Sequence, residues 1–170
     1  MISVQTFSLM LLAGGLLMAA PVQAEEASAN TTQRISPVDT RPSLVVNKSA
    51  FKQYFSGGEV RIDFLYPATD DNMQSAAYVT FEPGARTHWH THPAGQHMIV
   101  TSGVGYTQTW KGERRTLRVG DVVWCPVGVK HWHGASEKIA MTHLVITGSD
   151  KNGKNVEWLE PVTDEQYAGK

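Results

Sequence analysis

The sequence predicts a single all-β domain, a sandwich or small barrel, on three observations. Short stretches alternate apolar and polar residues: Val60, Ile62 and Phe64 with Arg61 and Asp63, then Ala77, Val79 and Phe81 with Tyr78 and Thr80. That period of two buries one face of a strand. Gly and Pro punctuate these stretches closely, as at Pro83-Gly84, Gly103 and Gly120-Asp121, the pattern of strands joined by tight turns. No helix-length amphipathic run and no internal repeat competes with them.

The first 24 residues stand apart. Residues 7–20 are apolar or small, and Val22-Gln23-Ala24 ahead of Glu25 fits a small-x-small cleavage site, although no Lys or Arg precedes the apolar run. Residues 1–24 therefore read as a secretory signal peptide, and the expected address is export, to the periplasm or the medium, with no stable membrane association after cleavage. Residues 25–47 are rich in Ser, Thr, Asn and Pro without hydrophobic periodicity, so a flexible mature N-terminus is expected there, gaining order near Pro42. The folded domain is placed at residues 48–170, with its barrel core over about residues 60–148.

Within it, residues 49–55 read as a short helical turn ended by Gly57-Gly58. Met98-Ile99-Val100 reads as a strand ending at Gly103, and residues 106–110 and 114–119 as a hairpin around Lys111-Gly112-Glu113. Val122-Val123-Trp124 and residues 139–147 complete the strands.

A chain of 170 residues with 41% hydrophobic and 18% charged residues supports one core, not two. A net charge of −1 without blocks of like charge argues against nucleic acid or an anionic membrane as the main partner. Cys125 is the only cysteine, so no internal disulfide forms. Its neighbours Trp124 and Pro126 suit a buried, apolar role.

Six of the seven histidines fall in two stretches, His88-Trp89-His90-Thr91-His92-Pro93-Ala94-Gly95-Gln96-His97 and His131-Trp132-His133. His90 and His92 sit two apart, which on a strand puts both on one face. Neutral imidazole is the commonest metal ligand near neutral pH. The spacing is specific: Gly84, five residues, His90-x-His92, three residues, Gln96, six residues, Gly103; then, after sixteen residues, Gly120, five residues, Pro126-x-Gly128-x-x-His131.

These spacings resemble the paired motifs of the cupins, with Gln96 where Glu is usual and Ala135 in place of a terminal Asn. The resemblance implies a single-domain double-stranded β-helix, or jelly-roll barrel. The wider match is closer still to the small bacterial cupins that include manganese-dependent (R)-selective hydroxynitrile lyases. It runs through Pro83-Gly84-Ala85-Arg86-Thr87, Trp89 to Gln96, Gly120 to Ala135 and Ala140-Met141-Thr142-His143-Leu144. That resemblance implies metal ligation by His90, His92, Gln96 and His131, catalytic roles near the metal for His133 and His143, and a substrate pocket at Ala77, Val79, Thr87 and Thr147. It implies a divalent metal, with Mn²⁺ first and Fe²⁺, Ni²⁺ or Zn²⁺ also compatible, since imidazoles with a neutral oxygen do not select one ion.

Strand parity places His133 with His131, and His97 opposite to Gln96, hence outward. His88 is expected at the mouth or surface. Trp89, Trp124 and Trp132 alternate away from the ligands as packing residues, and their number suits a homo-oligomer, dimer or tetramer. The leading functional expectation is cleavage or formation of α-hydroxynitriles, as of mandelonitrile to benzaldehyde and HCN. The alternatives are a metallo-cupin dioxygenase or isomerase acting on another small hydroxylated or carbonyl compound, and a periplasmic small-molecule-binding cupin without turnover.

Overall fold

Alternation of apolar and polar residues produces strands almost throughout the computed structural model, which describes residues 33–170. The signal peptide assigned to residues 1–24, and the first part of the segment after it, lie outside the described residues. The strands run β1 (Ser43–Val45), β2 (Phe55–Ser56), β3 (Val60–Tyr66), β4 (Gln74–Phe81), β5 (Arg86–Thr87), β6 (His90–Thr91), β7 (Gln96–Thr109), β8 (Arg115–Arg118), β9 (Val122–Cys125), β10 (His131–Ala135), β11 (Met141–Gly148) and β12 (Glu157–Trp158). One short helix, α1 (Asp164–Tyr167), closes the chain, and a 3-10 turn over Ala50–Tyr54 stands where a helical turn was expected.

The pairing is antiparallel and makes two faces. One carries the order β1-β3-β4-β11-β7, with β9 on the far side of β7. The other joins β2, β5, β10 and β7, with β6, β8 and β12 attached. Strand β7 belongs to both: residues 96–103 pair with β11, and residues 105–109 pair with β10. The sequence suggested that this strand ends at Gly103; instead it turns a corner there. Gly103 has φ +76°, and a Cβ on it would lie 1.7 Å from the Ala140 carbonyl oxygen. Only glycine lets the two backbones meet so closely.

Two apolar clusters follow from strand alternation. Val60, Val79, Phe81, Val100 and Met141 pack between the faces. Trp89 and Trp132, pointing the other way from the adjacent histidines, pack with Val162 and Tyr167 beneath the C-terminal segment. There α1 is held by a capping box between Thr163 and Gln166, and Gln166 Oε1 accepts from the Trp89 indole at 3.1 Å. The T-x-x-Q pattern of that box is visible in the sequence, but without a helix-length apolar period after it the pattern alone does not mark a helix.

Order sets in close to Pro42, where β1 pairs with β3, and the fully buried Val46 joins the core a little ahead of the residue 48 taken as the start of the domain. One expectation is corrected. Trp124 is not a packing residue like the other two: it is 49% exposed and its ring lies over that of His97, 4.4 Å between centroids.

Gly120 also has positive φ (+92°), but no heavy atom lies within 4 Å of its ideal Cβ. Gly120→Ala should therefore cost the backbone term alone, about 1–2 kcal/mol. Gly103→Ala should cost roughly a further 1–3 kcal/mol through overpacking. Urea denaturation of both variants measures the difference.

Candidate metal centre

The site is assembled at strand beginnings. His90 opens β6, His131 opens β10, and Gln96 opens β7, with His92 in the turn between β6 and β7. Antiparallel pairing of β10 with β6 sets His131 directly opposite His90. As a result the ligand atoms of His90, His92 and His131 all lie within 4.8 Å of one another, and all three residues are buried.

Backbone carbonyls orient each ring. His90 Nδ1 donates to the His88 carbonyl at 2.9 Å, His92 Nδ1 to Asn155 at 2.6 Å, and His131 Nδ1 to Val129 at 2.9 Å. A carbonyl only accepts, so the proton of each neutral ring sits on Nδ1 and the lone pair is left on Nε2. Gln96 is fixed in the same sense: its Nε2 donates to Thr147 Oγ1 at 3.0 Å, which leaves its amide oxygen over.

The leftover atoms carry the test for a cation. His92 Nε2, His131 Nε2 and Gln96 Oε1 are buried with no hydrogen-bond partner. Buried polar atoms without partners are costly and rare; a cation placed among these acceptors satisfies them together. The donor set of neutral imidazole nitrogens and an amide oxygen fits a divalent first-row metal. Burial holds all three rings below the ordinary histidine range, His131 at about 4, and the neighbouring imidazoles push His90 further down. They are therefore neutral, and able to ligate, at physiological pH.

The cluster lies at the inner end of a cavity of about 760 Å³. His90, His92, Gln96 and His133 line it, as do all four expected pocket residues, Ala77, Val79, Thr87 and Thr147. His143 does not line it. That residue is fully buried behind His133, its Nε2 3.1 Å from His133 Nδ1, with Phe81 packed against both rings. Of the two histidines expected to be catalytic, only His133 therefore faces the cavity. Burial pulls both below the ordinary range, His143 to about 4.

A single proton lies between these two neutral rings. If His143 Nε2 carries it, His133 presents an N–H to the cavity; if His133 Nδ1 carries it, His133 presents a lone pair. The pair can therefore act as acid or base through one side chain.

The remaining histidines stand apart from the cluster. His88 Nε2 lies 3.1 Å from Ser56 Oγ, and His97 is exposed. Cys125 is buried, and burial pushes its thiol up to about 12, so it is no nucleophile.

Two contributors escaped the sequence reading. The Asn155 carbonyl orients His92, and a backbone carbonyl has no residue signature. Its loop is shaped by Asp150, whose Oδ1 accepts from the N–H groups of Asn152 (2.8 Å) and Lys154 (2.9 Å). Trp158 pairs with His90 across β12 and β6, its ring 5.0 Å from the imidazole, and it lines the cavity. It lies far from both histidine stretches in sequence, and only the sheet joins them.

Asp150→Ala should weaken Mn²⁺ or Zn²⁺ binding about 10–100-fold in a chelator competition, because the loop that orients His92 loosens. Asp150→Asn keeps the accepting oxygen and should bind nearly as well as the parent. A second expectation concerns acid. His131 and His143 stay neutral in the folded, metal-free protein down to about 4, against 6.5 for an ordinary histidine. Below about pH 6.5 the unfolded chain takes up protons that the folded one does not, so stability present above that pH falls by roughly 1.4 kcal/mol per pH unit for each ring. Denaturation midpoints should accordingly be lower at pH 5 than at pH 7, with a shallower dependence in His143→Leu.

Comparison with known proteins agrees with this architecture. Residues 77–147, which contain every residue of the cluster together with His133 and His143, match the Cupin domain family. Over 110 residues the chain is 56% identical to the (R)-mandelonitrile lyase of Granulicella tundricola, covering 65% of this chain and 83% of that relative. A cupin-like protein of Thermotoga maritima has the same fold with a TM-score of 0.61 and 42% identity, over 68% of this chain and 86% of that one. A cupin-2 domain protein of Rhodospirillum rubrum, 15% identical, shares the fold at a TM-score of 0.58 over 81% of this chain and 84% of its own. With its motif residues gathered at one end of an all-β barrel and its sequence so close to a cupin over most of that relative's length, this chain belongs to the cupin family.

Proposed function

We propose that the protein is a metal-dependent hydroxynitrile lyase, cleaving or forming α-hydroxynitriles such as mandelonitrile. The observation that carries the reading is a juxtaposition: a convergent set of unpartnered lone pairs beside an acid–base pair, both at the inner end of one apolar cavity. The rings of His90 and His133 are 5.2 Å apart between centroids. The 56% identity to a protein named (R)-mandelonitrile lyase supports the same reading.

His90, His92, His131 and Gln96 would hold the cation, with Mn²⁺ our first assignment. When bound, the metal supplies a positive charge that favours ionisation of a neighbouring substrate hydroxyl. The chain's own residues do the rest. With its lone pair towards the cavity, His133 Nε2 takes the hydroxyl proton, and the Nδ1–H of the resulting imidazolium is held by His143 Nε2. The oxygen electrons form the carbonyl, the C–C bond breaks, and its electron pair leaves on cyanide. His133 returns the proton to that cyanide, so aldehyde and HCN depart and the neutral pair is restored. Ala77 and Val79, on one face of β4, leave room for the substituent, while Thr147 fixes Gln96.

The neutral donor set also serves redox-active iron, so a dioxygenase or isomerase acting on another hydroxylated or carbonyl compound is the second reading, and oxygen uptake separates it from the first. We extend the proposal to an exported protein, periplasmic or secreted. We further propose that it forms a homo-oligomer, for which the outward pair of Trp124 and His97 is a contact candidate.

Purified protein loaded with Mn²⁺ should release benzaldehyde from (R)-mandelonitrile. His131→Ala should lose metal and release together. His133→Ala should keep its metal and lose about 10²–10⁴-fold in kcat, the usual scale of general acid–base catalysis. A folded, metal-loaded protein inactive towards several cyanohydrins would overturn the proposal.

A further inference from the structure

We infer that the site is built for a substrate whose reacting hydroxyl or carbonyl is joined to an uncharged aromatic body larger than one ring, and that Trp158 selects for that body. The inference rests on the proposed function only for which end reacts; the class of the body comes from the cavity.

The cavity carries little charge. His90, His92, Gln96 and His133 bring its titratable and ligating groups, and neutral polar side chains such as Ser75, Ser149 and Asn155 also line it. Among the described residues that line it there is no Asp, Glu, Lys or Arg. A charged substituent far from the reacting end would lose its water and meet no counter-charge, which is unfavourable.

Aromatic rings line the cavity beyond the ligands. Phe55, Phe64, Tyr66 and Trp158 form that wall, while Phe81 lies deeper, against His133 and His143. Trp158 is held on three sides: its ring is stacked on Tyr54 at 4.8 Å and 9°, lies 5.5 Å from Phe55, and lies 5.0 Å from His90. The Trp158 indole is thus fixed beside a residue of the metal cluster, with the rings of Phe55 and His90 tilted to it by 57° and 47°, and a flat ring laid against it gains area and offset stacking.

Size agrees. About 760 Å³ stands in the upper part of the range, about 300–1,000 Å³, that encloses drug-sized ligands. A one-ring hydroxynitrile fills only its inner portion and leaves the aromatic wall uncovered.

The test uses binding of unreactive alcohols to the metal-loaded protein by calorimetry: benzyl alcohol, 2-naphthalenemethanol, and 6-(hydroxymethyl)-2-naphthoate, whose carboxylate lies far from the hydroxyl. We expect the naphthyl alcohol to bind about tenfold more tightly than benzyl alcohol, and the naphthoate about tenfold more weakly than the naphthyl alcohol. Trp158→Ala, with metal content unchanged, should erase the naphthyl preference, and Trp158→Phe should keep most of it. If Trp158→Ala does not fold, Phe64→Ala at the mouth, 39% exposed in the parent, should reduce the same preference. Equal or tighter binding of benzyl alcohol, tighter binding of the naphthoate, or an unchanged preference in the folded Trp158→Ala or Phe64→Ala variant would overturn the inference. Because no turnover is read, naphthyl preference in a protein that cleaves no cyanohydrin would sink the lyase reading alone. Cleavage of mandelonitrile without that preference would sink this inference alone.

Discussion

Three hydrogen bonds from ring nitrogens to backbone carbonyls govern what this barrel can do. By anchoring Nδ1 of His90, His92 and His131 on the carbonyls of His88, Asn155 and Val129, the fold fixes both tautomer and orientation. Every Nε2 lone pair is then available. Two of these anchors are two residues from the ring they hold, so strand geometry suffices for them. The third, Asn155, comes from a distant loop, and through it the C-terminal segment becomes part of the site.

The rest of the architecture serves that convergence. Strand β7 turns from one sheet to the other at Gly103, which lets a single strand carry Gln96 to the cavity and pair with β10 behind His131. On β10, His131 and His133 face inward while Trp132 turns to the second cluster beneath α1. Alternation therefore does two tasks at once: it directs imidazoles into the cavity and anchors the same strand from behind with a fully buried indole. Burying unpartnered acceptors opposes folding, and the apolar packing on either side of the strand offsets it.

Depth distinguishes the two histidines outside the metal cluster. His133 meets the cavity, and His143 meets only His133 and packed side chains such as Phe81. A ring in the position of His143 influences chemistry by setting which nitrogen of its neighbour carries the proton. That depth separates His143 from His133, and sequence spacing does not reveal the difference.

Much of the fold and of the site was legible in the sequence, and for local reasons. Apolar alternation at Val60–Phe64 and Ala77–Phe81 fixes which faces are buried. The His90-x-His92 spacing and the Gly84, Gly103, Gly120 and Gly128 positions reflect corners where a side chain has no room or φ is positive. What the sequence could not disclose is whatever depends on long-range pairing. The corner at Gly103 looked like a strand end because a sharp bend and a stop use the same residue. That Val46 belongs to the core was not legible ahead of residue 48, because its burial depends on a sheet closed far downstream. Asn155 acts through a backbone atom common to every residue, and Trp158 reaches His90 only because β12 pairs with β6. Residue types and local period determined which groups this protein brings to its chemistry; antiparallel register across distant strands decided which of them meet, because hydrogen-bond pairing between strands, not distance along the chain, sets side-chain neighbours in a barrel.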